Sequence, residues 1–423
     1  IHQHFPKTVS GLGHLITKNF AGPLLSHRIG NIIFASLFVF LFFLIISDIF
    51  GIFIALASSL ILITMPRIFF HAHLAAMDFS LAAFVFLATA AFYYMFEKRG
   101  FKYTFFFALA MAFLLINKII GYFIVIPFLI YLWKRRSSVE NLQSLSIGVG
   151  KTKIPNLIIL ILLIVVLLFI LFFGNLAQLI EPFKTPELQK PLGQQQQPKV
   201  LLFNMFISSS SVGAVLLYVP LHLISTFNAF FVLLSIVGLI IMYRRRKEHS
   251  FIPLLLIVFV FFYLLFSSPT AGKYDGERNF LLLFPLLALS AGYSLGGMAE
   301  FIKNKHEQLE KYVRILIIFL VVIIGFFTLY FAHPFYSSYF NVFVGGSAGV
   351  DSRNIMTVTY WQPEFLYTLD FINALPPNSS IGIVGYPASF IWYKKVGMIR
   401  EDIIVHQAYP EYMAIMNKKA YLL

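Results

Sequence analysis

The segment Leu157-Ile-Ile-Leu-Ile-Leu-Leu-Ile-Val-Val-Leu-Leu-Phe-Ile-Leu-Phe-Phe173 contains no polar side chain. Such a run is typical of a membrane-spanning helix, because about 20 consecutive apolar residues cross the hydrocarbon core of a bilayer. The whole chain of 423 residues is 59% hydrophobic and only 12% charged, whereas soluble domains are about 45–50% apolar and about 25% charged. The composition therefore excludes a soluble globular protein and predicts an all-α polytopic membrane protein.

Apolar runs of the same kind recur between short polar loops and predict about ten spans within residues 1–331. The predicted spans are Gly30–Ile46, Gly51–Met65, Phe79–Phe96, Tyr103–Ile116, Ile119–Trp133, Pro155–Phe173, Leu221–Tyr243, Phe251–Phe266, Phe280–Leu295 and Ile315–Phe331.

Lys and Arg residues gather in four clusters between these spans. The clusters are Lys98, Arg99 and Lys102; Lys134, Arg135, Arg136, Lys151 and Lys153; Arg244, Arg245, Arg246 and Lys247; and Lys303, Lys305, Lys311 and Arg314. A net charge of +14 in a soluble protein would suggest a nucleic-acid partner. Basic loops between apolar runs indicate membrane topology instead, so we expect no nucleic acid. Counting spans places all four clusters on one side, which the positive-inside bias identifies as the cytoplasm.

The same count places the first residues and everything after Ala332 outside the cytoplasm. Because polytopic proteins with cytoplasmic basic loops usually start in the cytoplasm, we expect at least one span before Ile1. After Ala332 the hydrophobicity falls and turn signals appear, so we predict a small mixed α/β extracytoplasmic domain over residues 332–423. Its predicted elements are strands near Ile381–Val384 and Ile403–Val405 and a helix near Gln362–Leu375.

The sequence disfavours two possibilities, a site that depends on cysteine and a transporter. The sequence contains no cysteine, which excludes disulfides and thiolate metal sites. A transporter typically has ionisable groups near the bilayer midplane and internal repeats. Here the charges lie mainly at the ends of the spans and no repeat is visible, so a transporter is the least favoured interpretation.

Ionisable residues at the extracytoplasmic ends of the spans are the candidate functional residues. A charge at membrane depth costs about 2.5–3.5 kcal/mol on insertion scales, so a retained charge indicates a function. The candidates are His71, His73, Asp78, Lys118, Lys273, Tyr274 and Arg278. Asp275 and Glu277 are interpreted as ion-pair partners of the neighbouring cations and not as catalytic groups.

The segments around these residues resemble a known family. They are Pro66-Arg-Ile-Phe-Phe-His-Ala-His-Leu-Ala-Ala-Met-Asp78-Phe-Ser-Leu, Leu115-Ile-Asn-Lys118, Lys273 to Gly292 with its Pro285, and His333-Pro-Phe-Tyr-Ser-Ser-Tyr-Phe-Asn341-Val-Phe-Val-Gly345-Gly346 followed by Tyr360-Trp361. In this order they resemble the polyprenyl- and dolichyl-phosphate-sugar-dependent glycosyltransferases of the GT-C superfamily, which include protein mannosyltransferases and aminoarabinose transferases. The similarity covers most of the chain. It implies a GT-C-type helical bundle in a prokaryotic cytoplasmic membrane.

The resemblance also implies a reaction, in which a sugar moves from a polyprenyl-phosphate carrier to a protein or lipid acceptor on the outer face. In the family an Asp or Glu of the first outer loop acts as general base on the acceptor hydroxyl. Residues Ile1 to Gly30 contain neither Asp nor Glu. We therefore expect the principal base to precede Ile1, with Asp78 as a supporting carboxylate. The alternative is a catalytically inactive GT-C-like subunit that serves as a scaffold or binds lipid beside partner subunits.

Lys118, Lys273, Tyr274 and Arg278 are the predicted substrate-binding residues. Cations outside the cytoplasm oppose the usual charge bias, and a lipid-linked phosphate would compensate them, with Arg as a two-pronged donor and Lys as a point charge. The alternative is that these long side chains reach to lipid headgroups.

His71 and His73 are the candidate ligands of a divalent metal such as Mg²⁺, Mn²⁺ or Zn²⁺. Residues two apart share one face of a strand but not of a helix, so the alternative is a pair of ordinary interfacial histidines. For Asp78, the alternative to a functional carboxylate is a helix N-cap before Phe79. Tyr336, Tyr339, Tyr360 and Trp361 are interpreted as an interfacial aromatic belt or as a platform that faces the acceptor.

Overall fold

The computed structural model describes residues 5–74, 76–98, 100–135, 146–149, 152–155, 163–164, 167, 199–273, 275–359, 363–384, 387–405 and 410–415. Tyr274, Tyr360 and Trp361 lie outside the described residues, and so does most of the predicted span Pro155–Phe173.

Helices form most of the described structure. Before residue 136 they are α1 (Phe5–Thr17), α2 (Pro23–Phe50), α3 (Ile52–Thr64), α4 (Pro66–Ala72), α5 (Met77–Glu97), α6 (Phe101–Leu115) and α7 (Val125–Lys134). After residue 198 they are α8 (Val212–Ser225), α9 (Ala229–Arg244), α10 (Phe251–Ser267), α11 (Phe284–Lys305), α12 (Glu310–Ala332), α13 (Gly346–Ser352), α14 (Leu369–Asn373) and α15 (Pro387–Lys395). Short 3-10 helices cover Ile119–Ile124, Gly276–Leu283, Glu307–Leu309, Tyr336–Ser338, Val342–Val344 and Pro363–Thr368.

The apolar runs predicted as spans are mainly helical where the structure describes them. Pro155, the first residue of one predicted span, instead ends the strand Thr152–Pro155. Within the described residues, four helices are long and apolar enough to cross a bilayer, and the number of such spans rises to six if each of two bent helix pairs counts as one. Shorter apolar helices coincide with the predicted spans that begin at Tyr103, Ile119 and Phe251. The chain is therefore an integral membrane protein. The total of about ten spans stays a prediction.

Two helix pairs are sharply bent, one just after the predicted span Gly51–Met65 and one inside the predicted span Leu221–Tyr243. The axis turns by 75° between α3 and α4, and by 116° between α8 and α9. At the second bend the Asn228 side chain caps α9 by accepting a hydrogen bond from Phe230 N at 2.9 Å, while its amide donates to Thr328 Oγ1 at 2.8 Å. The prediction of one continuous span at Leu221–Tyr243 is wrong in this respect.

Described members of each basic cluster, Lys98, Arg135, Arg245 and Arg314, lie at one end of the helical bundle, hereafter the basic end. Lys98 Nζ lies 2.7 Å from Asp48 Oδ2, and Arg135 Nη1 and Ser250 Oγ both contact Glu97 Oε1, at 2.8 and 2.7 Å. Arg245 Nη1 lies 2.9 Å from Glu300 Oε2, and Arg314 Cζ lies 5.1 Å from the centre of the Phe53 ring. These contacts place described residues from all four clusters at the same end of the bundle, as the loop charges predict. The other end, where α3 gives way to α4 and where α5 begins, is hereafter the loop end.

Small residues let the central helices approach closely. A Cβ atom added at Gly238 of α9 would lie 1.7 Å from the carbonyl oxygen of Ser290 in α11. A Cβ atom added at Gly292 of α11 would lie 2.1 Å from Ser58 Oγ of α3. Such close backbone contact at small residues is a common way to pack transmembrane helices. It places α11 in the middle of the bundle, where most of its first three turns are buried.

The C-terminal region contains a three-stranded sheet, of which the sequence predicts two strands. Strand β5 (Ser380–Val384) lies between β6 (Ile404–Val405) and β7 (Tyr412–Ile415) and is parallel to both. A separate hydrophobic core supports this sheet and includes Phe365, Leu369, Ile372, Ile381, Phe390 and Ile403. The remaining strands form two hairpins, β1 (Ser146–Val149) with β2 (Thr152–Pro155) and β3 (Lys199–Leu202) with β4 (Met205–Ser208). The fold is an α-helical membrane bundle with a small mixed α/β region, and a domain boundary at residue 332 stays a prediction.

Candidate functional site

Charged side chains from four separate segments meet at the loop end. They are hereafter called the loop-end cluster, which consists of Arg67, His71, Asp78, Lys118, Asp275, Glu277 and Arg278. The bend after α3 supplies Arg67 and His71, the first turn of α5 supplies Asp78, the break after α6 supplies Lys118, and the 3-10 segment before α11 supplies the rest.

Asp78 and Lys118 form an ion pair in this cluster. Lys118 Nζ lies 2.8 Å from Asp78 Oδ1 and also donates to Asn279 Oδ1 at 3.3 Å. The Asp78 side chain is 2% exposed, whereas that of Lys118 is 23% exposed. Helix α5 begins at Met77 with Ala76 as its N-cap, so Asp78 is not the N-cap that the alternative interpretation required. Its carboxylate is held by the ammonium instead.

Arg67 and Glu277 form a second, fully buried pair that the sequence interpretation missed. Arg67 Nη1 lies 3.5 Å from Glu277 Oε1, and the two side chains are 1% and 0% exposed. Arg67 also donates to the Tyr339 carbonyl oxygen at 3.2 Å and stacks over the Phe340 ring at 4.8 Å. The sequence contains one signal for this pair: Arg67 lies two residues beyond the outer end of the predicted span Gly51–Met65, and a cation at an outer span end is also what identified Lys118.

Arg278 pairs with Asp275, whereas Lys273 contacts backbone carbonyl groups. Arg278 Nη2 lies 3.3 Å from Asp275 Oδ2, and the Arg278 side chain is 18% exposed. Lys273 Nζ donates to the carbonyl oxygen of Ser268 at 2.7 Å and to that of Ala271 at 3.4 Å. Burial lowers the pKa of the Lys273 ammonium, because the charged form loses hydration there. Tyr274, between these residues, lies outside the described part of the chain.

His71 lies inside the cluster and His73 lies beside it. His71 is 1% exposed and is within electrostatic range of Asp78 and Glu277. His73 directs its Nδ1 to the Phe69 carbonyl oxygen at 2.6 Å. Among the described residues, no group of three or more His, Asp or Glu side chains is arranged to hold a metal ion. A metal at His71 and His73 stays a prediction.

The segment after α12 closes over the loop end through Asn341. The Asn341 amide donates to the carbonyl oxygens of Ile224 at 2.7 Å and Phe227 at 2.8 Å, and its backbone N–H donates to Ser225 O at 2.8 Å. These bonds satisfy carbonyl groups at the end of α8, which a helix end otherwise leaves without partners. They also hold Tyr339 where its carbonyl group meets Arg67.

Two aromatic residues of the predicted belt lie in this segment. Burial raises the pKa of Tyr339 to about 12. Tyr336 stacks near Phe69 with ring centroids 4.9 Å apart. Both therefore pack against the loop end, and a role in facing an acceptor stays a prediction.

Comparison with known proteins identifies the fold. No protein-family model matches the sequence, and no curated protein matches it significantly. The crystal structure of ArnT from Cupriavidus metallidurans bound to undecaprenyl phosphate is similar with a TM-score of 0.57 and 14% identity, over 96% of this chain and 76% of that chain. ArnT in the apo state gives a TM-score of 0.57 and 13% identity, over 100% of this chain and 76% of that chain. These similarities show that the chain shares the fold of ArnT, which confirms the predicted helical-bundle fold class.

Proposed function

We propose that this chain transfers a sugar from a polyprenyl-phosphate carrier to an acceptor at the loop end. The observation that carries the proposal is the position of Lys118 and Arg278, two partly exposed cations at the end of the bundle opposite the basic end. A phosphate group at headgroup depth matches both cations, and its polyprenyl tail can remain in the membrane. The similar ArnT structure, which contains undecaprenyl phosphate, supports this choice of carrier.

The proposed reaction exchanges one bond for another at C1 of the sugar. The acceptor oxygen forms a bond to C1 while the bond between C1 and the phosphate oxygen breaks. Polyprenyl phosphate leaves with the electron pair, and the acceptor proton passes to a base. Lys118 and Arg278 stabilise the negative charge that grows on the leaving phosphate, which is the kind of electrostatic contribution that fixed cations make best.

Asp78 acts in this proposal as a supporting carboxylate that positions the Lys118 ammonium. The principal base is not assigned to a described residue. Lys273, whose ammonium already contacts two carbonyl groups, shapes the loop that carries Arg278. Tyr274 is a proposed substrate-binding residue of the same loop.

One observation favours the second candidate, a catalytically inactive subunit that binds lipid or acts as a scaffold. The carboxylates of the loop-end cluster all lie beside cations: Asp78 beside Lys118, Asp275 beside Arg278, and Glu277 beside Arg67. This arrangement suits anion binding without requiring proton transfer. Both candidates bind the carrier, and only the enzyme releases free polyprenyl phosphate from a radiolabelled carrier-linked sugar when an acceptor is supplied.

The first prediction is that loop-end cations determine carrier affinity. Each hydrogen bond to a charged group contributes about 1.5–3 kcal/mol, so Arg278→Ala should weaken binding of a short-chain polyprenyl phosphate roughly tenfold to a hundredfold. Lys118→Ala should have a comparable but smaller effect, and Lys273→Ala the smallest. Titration of the carrier against purified variants in detergent measures these affinities, with thermal unfolding as the check on folding.

Arg245→Ala is the matched control for that titration. Arg245 forms an ion pair of almost the same length as that of Lys118, 2.9 Å to Glu300 Oε2, but at the basic end. It should leave carrier affinity unchanged. Equal losses in Arg245→Ala and Lys118→Ala, or no loss in any loop-end variant, would contradict the proposed carrier site. Repeating the transfer assay with EDTA tests the predicted metal at His71 and His73.

A further inference from the structure

A cavity lies in the helical bundle away from the loop-end cluster. Helices α2, α5 and α6 enclose a cavity of about 790 Å³ that is open on one side. Small-molecule binding sites have volumes of about 300–1,000 Å³, and the volume of this cavity falls within that range. Its walls are apolar over most of their length and include Phe34, Leu41, Leu87, Phe106 and Phe113. Since Leu37, Leu44 and Phe106 line the cavity and remain 53%, 44% and 48% exposed, we call it the lateral groove.

The lateral groove runs along α2 toward the basic end. It extends from Phe34 to Asp48, a distance of roughly 21 Å at 1.5 Å per helical residue. One leaflet of a bilayer contributes about 15 Å of a hydrocarbon core about 30 Å thick. The groove is therefore long enough to hold a lipid chain over the full depth of one leaflet.

Among the described residues, the polar groups that line the groove lie at its basic end. Asp48 accepts hydrogen bonds there from Lys98 Nζ at 2.7 Å and from the Tyr94 hydroxyl at 2.8 Å. Lys102 Nζ lies 5.8 Å from the centre of the Tyr103 ring. Within the described part of the chain, Lys102 forms no ion pair with a carboxylate. Two ammonium groups against one carboxylate leave a net positive charge at this end.

We propose that the lateral groove binds one anionic membrane lipid, with an acyl chain along α2 and the phosphate at Lys98 and Lys102. An amphiphile with one anionic head matches a groove that is apolar along most of its length and carries a net positive charge at one end, whereas an apolar partner helix would leave that net charge without a counter-charge. Tyr94 and Tyr103 line the same end of the groove, and aromatic side chains of this kind are enriched at the depth of lipid headgroups. This lipid site is at the basic end and is independent of the carrier site proposed above.

Four variants of the full chain in detergent test the proposal. Native mass spectrometry measures the binding of dioleoylphosphatidylglycerol and, separately, of dioleoylphosphatidylcholine. A basic residue near a membrane surface attracts anionic lipid by about 1 kcal/mol, so Lys102→Ala should weaken phosphatidylglycerol binding about fivefold. Asp48→Asn should strengthen it by a similar factor, because Lys98 is then freed from its carboxylate. Ala91→Phe, which fills the groove from α5, should weaken the binding of both lipids; Ala110→Phe replaces it if the first variant does not fold.

Lys305→Ala is the matched control. Lys305 is also a basic-end lysine close to an aromatic ring, 4.5 Å from the centre of Phe301, but it does not line the groove. It should leave both lipid affinities unchanged, and inorganic phosphate should not displace the bound lipid. The proposal fails if Lys305→Ala and Lys102→Ala have equal effects, since diffuse surface charge would then explain the binding. It also fails if Asp48→Asn weakens phosphatidylglycerol binding or if filling the groove leaves it unchanged.

Discussion

Glu277 is completely buried, and its carboxylate lies 3.5 Å from the guanidinium group of Arg67. Charges in such a place lose their hydration, and mutual attraction offsets that loss only while both partners remain. Arg67 has further contacts with Tyr339 and Phe340, so this single side chain connects the bend after α3, the segment before α11 and the segment after α12. The pair therefore positions the elements that surround Lys118 and Arg278.

A second prediction follows for the stability of this pair. Arg67→Met should lower the free energy of unfolding by about 3–5 kcal/mol, because it leaves the Glu277 carboxylate buried without its cation. The double variant Arg67→Met with Glu277→Leu should recover much of that loss, because an apolar pair of similar volume carries no buried charge. Unfolding in detergent, followed by circular dichroism against temperature or denaturant, compares the two. A double variant less stable than Arg67→Met would contradict the interpretation.

At the scale of single residues, the sequence identifies charged residues of the loop-end cluster but not which of them form ion pairs. Lys118 and Asp78 were identified because each is an ionisable residue at the outer end of a span, and the structure brings them together. Arg67 and Glu277 are equally unusual, but they lie far apart in the chain and only the packing of α3 beside α11 makes them neighbours. For Lys273 the sequence predicts a role in binding the substrate phosphate. In the structure its ammonium group instead contacts the carbonyl groups of its own loop.

At the scale of elements, the spacing between helices depends on particular glycines. Gly238 faces the backbone of α11, where an added Cβ would lie 1.7 Å from Ser290 O. Gly297 lies on α11 itself, and a Cβ added there would meet only Ile241 Cδ1, at 3.7 Å, which is ordinary van der Waals contact. The two glycines therefore form a matched pair, one at a close helix contact and one where an added Cβ would make only ordinary van der Waals contact.

The third prediction is that Gly238→Ala destabilises the bundle and Gly297→Ala does not. Overpacking a close contact typically costs about 1–3 kcal/mol, and the α9–α11 interface can relieve this one only by moving a backbone. Gly297→Ala should leave stability unchanged or raise it slightly, since Ala favours a helix by up to about 1 kcal/mol over Gly. Thermal unfolding of both variants in the same detergent gives the comparison. Equal melting temperatures would show that the helices separate at no measurable cost.

The existence of most elements was predictable from hydrophobicity, but their directions were not. Leu221–Tyr243 is apolar on both sides of Asn228, so composition indicates a single span. The chain turns by 116° there because Asn228 caps a new helix and Asn341, far along the sequence, satisfies the carbonyl groups of the old one. The short strands near Ile381 and Ile403 were predictable because alternation and turn residues are local signals.

For the whole molecule, the two ends of the bundle carry charge in different ways. Basic-end cations such as Lys98 and Arg245 are 43% and 40% exposed. Arg67 at the loop end is 1% exposed and lies beside a carboxylate. The positive-inside bias acts on loop charges that remain available in water. A cation as buried as Arg67 therefore need not oppose an orientation with the loop end outside.

The last prediction is that the basic end faces the cytoplasm and the C-terminal region lies outside. The chain contains no cysteine, so a single introduced cysteine reports its own location to a membrane-impermeant maleimide. Asn378→Cys should be labelled in intact cells, and Arg245→Cys only after the membrane is permeabilised. Because Asn378 has a positive φ of 62°, Glu401→Cys provides a second exposed position in the same region. Labelling of Arg245→Cys in intact cells, together with protection of both C-terminal positions, would show that the protein has the opposite orientation in the membrane. The proposed transfer would then take place in the cytoplasm, where the carrier phosphate would have to reach Lys118 and Arg278 from the inner leaflet.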